Sequence, residues 1–135
     1  MALNPSTGVA SRNLALNAAF DILNAGKYRI YDSTQPASAD TALGAQVLLA
    51  DLTLNATAFA AAAAGSKSAN SITQDSSADA SGTATWATLV ASTRATVGTM
   101  DMSAGTATVN LVLNSAAISS GAAVSCSSLT ITQAA

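Results

Sequence analysis

Apolar positions near the start of the chain recur at the spacing of a helix. The apolar stripe consists of Leu16, Phe20 and Leu23, with Ala19 beside them. Polar residues fill the other positions: Asn13, Asn17, Asp21 and Asn24. Ser11 is a good N-terminal cap, and Gly26 suits the left-handed position that follows a helix end. The pattern predicts an amphipathic helix from Arg12 to about Asn24, preceded by an N-terminal arm at residues 1–11.

Beyond this helix the apolar period changes to two, which indicates strands. The first predicted strand runs from Lys27 to Asp32, with Tyr28 and Ile30 on one face and Arg29 and Tyr31 on the other. The second covers residues 46–54 and sets Leu48, Ala50, Leu52 and Leu54 opposite Val47, Leu49, Asp51 and Thr53. Because the second of these faces is half apolar, we expect it to be half covered.

The middle of the chain has no single period. The run from Ala56 to Ala64 is rich in alanine, which favours helix, but it is short, uncapped and followed by Gly65. We interpret it as a loop with at most one helical turn. Residues 71–74 are predicted as a short strand and residues 75–82 as a turn-rich connection.

The last part of the chain has the clearest strand pattern. Strands are predicted at residues 83–91, with Trp86 in the middle, and at residues 95–100, 106–113 and 123–132. In the third of these, Val109, Leu111 and Leu113 would point away from Asn110 and Val112. In the last, the apolar positions change phase at Ser127 and Ser128, which predicts a β-bulge.

These elements together predict a mainly β fold. We expect an antiparallel β-sandwich or barrel-like domain of about seven strands with one N-terminal helix, forming a single domain over residues 12–135. Its core would be thin, because only 4% of the residues are aromatic and much of the apolar share is alanine.

Charge is sparse and bears on the choice of partner. Charged residues make up 9% of the chain, against about 25% in typical domains, and the formal net charge is -2. The five cations are scattered along the sequence: Arg12, Lys27, Arg29, Lys67 and Arg94. Nucleic-acid binders concentrate cations on one face, so we expect no nucleic-acid partner. A surface of Ser, Thr, Ala and Asn favours a protein that assembles with others.

The sequence contains few groups that could carry catalysis. There is no His, and all seven acidic residues are Asp. Asp75 and Asp79 are close enough to suggest a calcium loop, but the central Gly and terminal Glu of that motif are missing. We interpret the two carboxylates as turn-making groups. We therefore expect no enzymatic activity, no cofactor, no metal and no catalytic residue.

A few single side chains are distinctive. Cys126 is the only cysteine, so an intrachain disulfide is impossible, and its place in an alternating run predicts a small core residue. Trp86 is predicted to anchor the core, with an exposed partner contact as the alternative, and for Tyr31 both alternatives stay open. The start of the chain lacks the pattern of a signal peptide, and its longest apolar run is too short to cross a bilayer, so we expect no membrane partner.

Several sequence segments resemble a group of small virion structural proteins encoded by tailed bacteriophages. The resemblance covers nearly the whole chain and is carried by "AGKYRIYDSTQPASADTAL", "VLLADLTL", "ITQDSSADASGTATWATL" and "AAISSGAAVSCSSLTIT". It implies a component of a phage particle without fixing its place there, and the alanine run at residues 60–64 departs from it.

The resemblance makes a capsid decoration, or cement, protein the first functional hypothesis. Such a protein would be assembled in the bacterial host cytoplasm and found in the virion, with the major capsid protein and copies of itself, as a possible homotrimer, as partners. The alternatives are a tail or neck component, such as a minor tail or tube-decorating protein, and a carbohydrate- or host-binding module.

Overall fold

The structure, a computed structural model, describes residues 8–38, 40–92, 96–101 and 111–133. It contains one α-helix, α1 (Val9–Phe20), which continues into a short 3-10 helix at Asp21–Leu23. The strands are β1 (Lys27–Tyr31), β2 (Leu48–Thr53), β3 (Ser66–Ser68), β4 (Gly82–Thr83), β5 (Trp86–Val90), β6 (Thr96–Asp101), β7 (Leu111–Leu113), β8 (Ala117–Ile118) and β9 (Cys126–Thr132). The prediction of a mainly β fold with one N-terminal helix is confirmed.

The strands form three antiparallel sheets. The largest has the order β2-β1-β5-β6, the second has the order β3-β9-β7, and β4 pairs with β8. The described residues thus form nine strands, where the sequence predicts about seven. The short strands β3, β4 and β8 are additional, and the strand predicted at residues 71–74 is not formed. Two or three residues are too few to display a period of two, so the sequence does not reveal these short strands.

The main core lies on one face of the four-stranded sheet. Tyr28 and Ile30 of β1 are opposite Leu52 and Ala50 of β2, and on the other side they are opposite Leu89 and Ala87 of β5. All six side chains are at most 1% exposed. Leu129 and Ile131 of β9, together with Leu16 and Leu23, belong to the same buried cluster. The first two strands thus have the predicted bounds within two residues, and Ala50 and Leu52 share the predicted face. A register shift opposite Ile30 and Tyr31 breaks the predicted alternation in β2, so that Leu49 is fully buried and Leu48 is half-buried.

The ends of the helix differ from the prediction. The N-cap is Gly8, whose carbonyl accepts the Arg12 N–H at 3.1 Å, and Ser11 lies inside the helix. Nothing between Gly8 and Arg12 breaks a helix, so it begins three residues earlier than predicted. At the other end Ala25, with φ of 55°, takes the left-handed conformation that the sequence assigned to Gly26. The predicted arm at residues 1–11 lies mostly outside the described residues.

The alanine-rich run is not helical. Residues 58–63 are extended and pair with residues 66–70, through the Ala60 N–H to Ser68 O and the Asn70 N–H to Ala58 O, both at 2.9 Å. The segment is a loop without a helical turn, because it finds its backbone partners across a hairpin. The strand predicted at residues 71–74 is reduced to one bridge between Thr73 and Thr53.

The predicted bulge in the last strand is confirmed. Val112 of β7 is paired with Ser128 of β9 while the next residue, Leu113, is paired with Cys126, so Ser127 is the extra residue. The shift lets Val124 and Leu129 both point inward, at 2% and 1% exposure. The predicted strand at 106–113 is described only from Leu111 onward, and its earlier residues lie outside the described part.

Candidate functional site

The polar stripe of α1 binds the backbone of the alanine-rich hairpin. The Asn13 side-chain oxygen accepts the Gly65 N–H at 2.9 Å, and Asn17 accepts the Ala62 N–H at 3.0 Å. Beyond the helix, Asn24 accepts the Ala58 N–H at 2.8 Å. The sequence shows these asparagines as the outward face of an amphipathic helix, but the structure places them against a second segment.

The hairpin turn brings the following strand under the helix. Ala63 and Ser66 exchange two backbone hydrogen bonds of 2.9 Å, and the two residues between them have positive φ, 51° at Ala64 and 75° at Gly65. This is the backbone of a type I′ turn, which favours glycine at its second central position. The turn directs β3 antiparallel to the preceding segment, and Lys67 of β3 then faces α1.

Lys67 is the most deeply buried charged side chain of the described residues. Its exposed fraction is 2%, and its Nζ donates hydrogen bonds to Asn17 Oδ1 at 2.6 Å and to Asp21 Oδ1 at 2.7 Å. Asn17 and Asp21 are four residues apart, so they project from the same side of the helix. A buried ammonium without partners would cost several kcal/mol, and these two oxygens supply the compensation.

The surroundings of this group are apolar on one side and open on the other. Phe20 and Phe59 meet edge to face with ring centroids 6.0 Å apart. A cleft of about 270 Å³ opens over the lysine, and its lining includes the following residues: Asn17, Asp21, Asn24, Thr57, Phe59 and Lys67. Asp21 is partly in solvent, with 55% of its side chain exposed. We call Lys67, Asn17 and Asp21 the lysine cluster.

A second feature is the outward face of the helical segment. Its exposed residues at four-residue spacing are Ala10, Leu14, Ala18 and Ile22, which we call the outer ridge. Leu14 is 71% exposed and Ile22 is 41% exposed. No charged residue interrupts the ridge, although Asp21 lies at its border.

The aspartates singled out from the sequence have structural contacts. Asp75 accepts the Ser77 N–H at 2.9 Å and the Asp51 N–H at 3.0 Å, which confirms its role in a turn. Asp79 is exposed, and its own N–H donates to Leu49 O at 2.8 Å. Asp75 thus contacts β2 through its carboxylate, whereas Asp79 contacts the same strand through its backbone. Among the described residues, no group of three or more metal-ligating side chains comes together.

The distinctive side chains are largely buried. Trp86 is 1% exposed and Tyr31 is 5% exposed, and their rings stack at a centroid distance of 4.7 Å. The prediction of Trp86 as an anchor is confirmed, and Tyr31 takes the buried alternative. Cys126 is half-buried beside the core, as a free thiol. Burial raises the pKa of the Cys126 thiol to about 11. The pKa of Tyr28 is also raised above its ordinary value, mainly by burial and to a lesser extent by the nearby Cys126 charge.

Sequence reasoning missed the lysine cluster. It recognised Asn17 and Asp21 on one helical stripe, but it counted Lys67 only as one of five scattered cations. The available signal was that Lys67 is a lone cation in a long Ala- and Ser-rich stretch that also contains a Gly turn. That signal does not name the partner, because β3 has only three residues.

The comparisons with known proteins add no identification. In the described part of the chain no helix has the length and apolar character to span a bilayer. No protein-family model matches the chain, and no curated protein and no solved structure is significantly similar to it.

Proposed function

We propose that this protein is a non-enzymatic structural component of a tailed-phage virion, and specifically a capsid decoration protein bound to the outer surface of the head. The proposal combines the resemblance of its sequence segments to small virion proteins with one structural observation. That observation is the outer ridge of the helix, which presents apolar side chains without charge to the surroundings.

The outer ridge supports docking on an apolar partner surface. An exposed leucine alone is ordinary, but Leu14 and Ile22 share one face with alanines that allow close approach of a partner backbone. Aspartates elsewhere, such as Asp32 and Asp75, are engaged with backbone N–H groups inside the fold. Attraction through this face would therefore depend on shape and apolar contact rather than on charge.

The size of the ridge favours attachment in many copies. The 12 residues of α1 span about 18 Å, so one helical face buries far less than the roughly 800 Å² per partner of a stable interface. A single contact of that size is weak. On a capsid lattice, further contacts to neighbouring copies of this chain would add to it, because linked weak contacts reinforce one another.

A binding experiment with one variant and one control tests this proposal. Leu14→Asp places a charge on the ridge, and Leu43→Asp places the same charge on another exposed leucine, 48% exposed, outside the helix. We expect Leu14→Asp to abolish co-sedimentation with purified heads that lack the protein, and Leu43→Asp to bind like the wild type. Equal binding of both variants would remove the ridge from the proposal.

The place in the particle is tested separately. Labelling or reconstruction of purified virions should show the protein over the head in hundreds of copies, as a lattice-wide decoration requires. Density confined to the tail or neck would replace the decoration hypothesis with the tail alternative. Absence of the protein from purified virions would overturn both.

A further inference from the structure

We propose that the lysine cluster forms an intramolecular amide bond between Lys67 Nζ and Asn17 Cγ, with Asp21 as the proton-transferring catalytic residue. The reaction joins α1 to β3 once per molecule and releases the Asn17 side-chain nitrogen as ammonia. It is a self-modification rather than turnover of a substrate, so it goes beyond the proposed structural role and is compatible with it.

The reacting atoms are already close together. Lys67 Nζ lies 2.6 Å from Asn17 Oδ1. A carbonyl bond is about 1.23 Å long, so Nζ can be no farther than about 3.8 Å from the Asn17 carbon, close to the separation of a near-attack pair. Both groups are held by regular elements on opposite sides of the contact, the helix and β3, which limits the entropy that must be lost on reaction.

The carbonyl of Asn17 is polarised by the hairpin. Its Oδ1 accepts the Ala62 N–H at 3.0 Å in addition to the lysine. When the amine adds to the carbon, negative charge develops on that same oxygen, and a fixed backbone N–H is the type of donor that stabilises it. The hydrogen bond that docks the hairpin on the helix therefore also serves the chemistry.

Asp21 supplies the proton transfers. Its Oδ1 lies 2.7 Å from Nζ and accepts a proton from the ammonium, which leaves a neutral amine. The amine adds to Cγ of Asn17, and the carbonyl electron pair moves to Oδ1. Asp21 passes its first proton to Nδ2 and takes a second proton from Nζ. The C–Nδ2 bond then breaks as the electron pair on Oδ1 re-forms the carbonyl, and the departing ammonia takes the second proton from Asp21, which returns to its starting carboxylate. In sum, an ammonium and a primary amide give a secondary amide and an ammonium ion.

The surroundings favour Asn17 as the acceptor and allow the product to leave. A carboxylate is a poor electrophile because it is anionic, so attack on Asp21 is disfavoured relative to attack on the neutral amide. Lys67 is only 2% exposed, so few water molecules reach its amine. The cleft above the cluster includes Asn17 and Asp21 in its lining and gives ammonia an open path to solvent.

The intact mass of the full-length folded chain tests the proposal directly. We expect the wild type to weigh less than its sequence by the mass of one ammonia. Tryptic digestion should leave Lys67 uncleaved and give one branched peptide that contains both Asn17 and Lys67. Lys67→Arg and Asp21→Asn should restore the full sequence mass. Asn13→Ala is the matched control, because Asn13 holds the same hairpin without touching the lysine, and it should keep the loss of ammonia.

The following results would contradict the proposal. A folded wild type with its full sequence mass after prolonged incubation at neutral pH would overturn it, even if a variant failed to fold. Loss of water, or a branch point at Asp21, would reject Asn17 as the acceptor. Loss of ammonia with normal cleavage after Lys67 would indicate a cyclised asparagine instead.

Stability provides a second readout. The bond would close a loop over a sequence separation of 50 residues, and such a crosslink restricts the unfolded chain strongly. We expect the Tm of Lys67→Arg to fall by on the order of 10 °C relative to the wild type. The Asp21→Asn chain, if it folds without the bond, should show a fall of the same size, and a wild-type Tm in both variants would contradict the crosslink.

Discussion

Gly26 lies where the helical segment turns into the first strand, and there the backbone is crowded. A Cβ added at this position would overlap Val90 O of the adjacent strand and would lie 2.8 Å from Leu23 O. Both neighbours are backbone atoms, so neither can rotate away. The position needs glycine for space rather than for a left-handed conformation, which Ala25 adopts in its place.

Replacing this glycine should therefore destabilise the fold. We expect Gly26→Ala to lower the free energy of unfolding by about 1–3 kcal/mol, as overpacking in a tight interior does. Gly44→Ala is the control, because a Cβ there meets only Gln46 Oε1 at 3.7 Å, an ordinary contact. Urea denaturation of the two variants measures the difference. An equal effect at both positions would show that the junction can relax.

The thiol of Cys126, beside the core, and the phenol of Tyr28, within it, predict a loss of stability at alkaline pH. Burial raises the pKa of Cys126 from 9.0 to about 11 and also raises that of Tyr28. In the unfolded chain these groups release their protons at lower pH than in the folded chain, so the unfolded state binds fewer protons there and stability falls as pH rises. The stabilisation that comes from the protonated Cys126 thiol is fully present below about pH 9 and is lost progressively as the pH rises toward 11.

Denaturation midpoints measured from pH 7 to 11 test this dependence. We expect a flat region near neutrality and a decline that begins near pH 9. Cys126→Ser removes the thiol and should make the decline start later and become shallower. A Cys126→Ser curve parallel to that of the wild type would show that the thiol is not responsible.

At the scale of elements, the helix is attached to the domain by two different faces. Leu16 and Leu23 enter the core, whereas Asn13, Asn17 and Asn24 receive backbone N–H groups from the hairpin. The same helix therefore contributes both apolar burial and hydrogen-bond acceptors. The second contribution explains how an alanine-rich segment that forms only isolated bridges is kept in place.

Removing one of these acceptors should destabilise the fold by more than the exposure of the asparagine suggests. Asn24→Ala leaves the N–H of Ala58, a residue that is 1% exposed, without its partner, and we expect a loss of about 1–3 kcal/mol. Ser11→Ala, on the exposed side of the helix, should leave stability unchanged or slightly higher, because Ser11 does not cap the helix. A substantial loss in Ser11→Ala would restore its predicted capping role.

The elements that the sequence predicts well are those with repeated periods. The alternating sequence around β1 and β2 predicts both strands within two residues, and the phase change at Ser127 marks a real bulge. The elements it misses depend on distant contacts. The three residues of β3 are a strand because they pair with β9, more than 60 positions away, and nothing local records that pairing. The lysine cluster is missed for the same reason.

At the scale of the whole molecule, both faces of the four-stranded sheet are partly covered by packed side chains. Ala87 and Leu89 of β5 point into the main core, while Trp86 on the same strand points to the opposite face and stacks on Tyr31. The Trp86 indole N–H donates to Asp32 O at 2.9 Å, which fixes the ring against the loop that follows β1. A second, smaller packed unit therefore lies outside the main cluster.

The two packed units share β1 and β5, so we expect them to unfold together. Trp86 is the only tryptophan, and its fluorescence therefore reports the smaller unit alone, whereas the far-ultraviolet circular dichroism reports all strands. The two signals should give the same midpoint in urea, as a two-state transition requires. Trp86→Phe should lower the midpoint seen by circular dichroism, because it removes the hydrogen bond to Asp32 and reduces the stacked area. A fluorescence transition at clearly lower urea in the wild type would mean that this face opens independently, and the sheet would then be anchored by the main core alone.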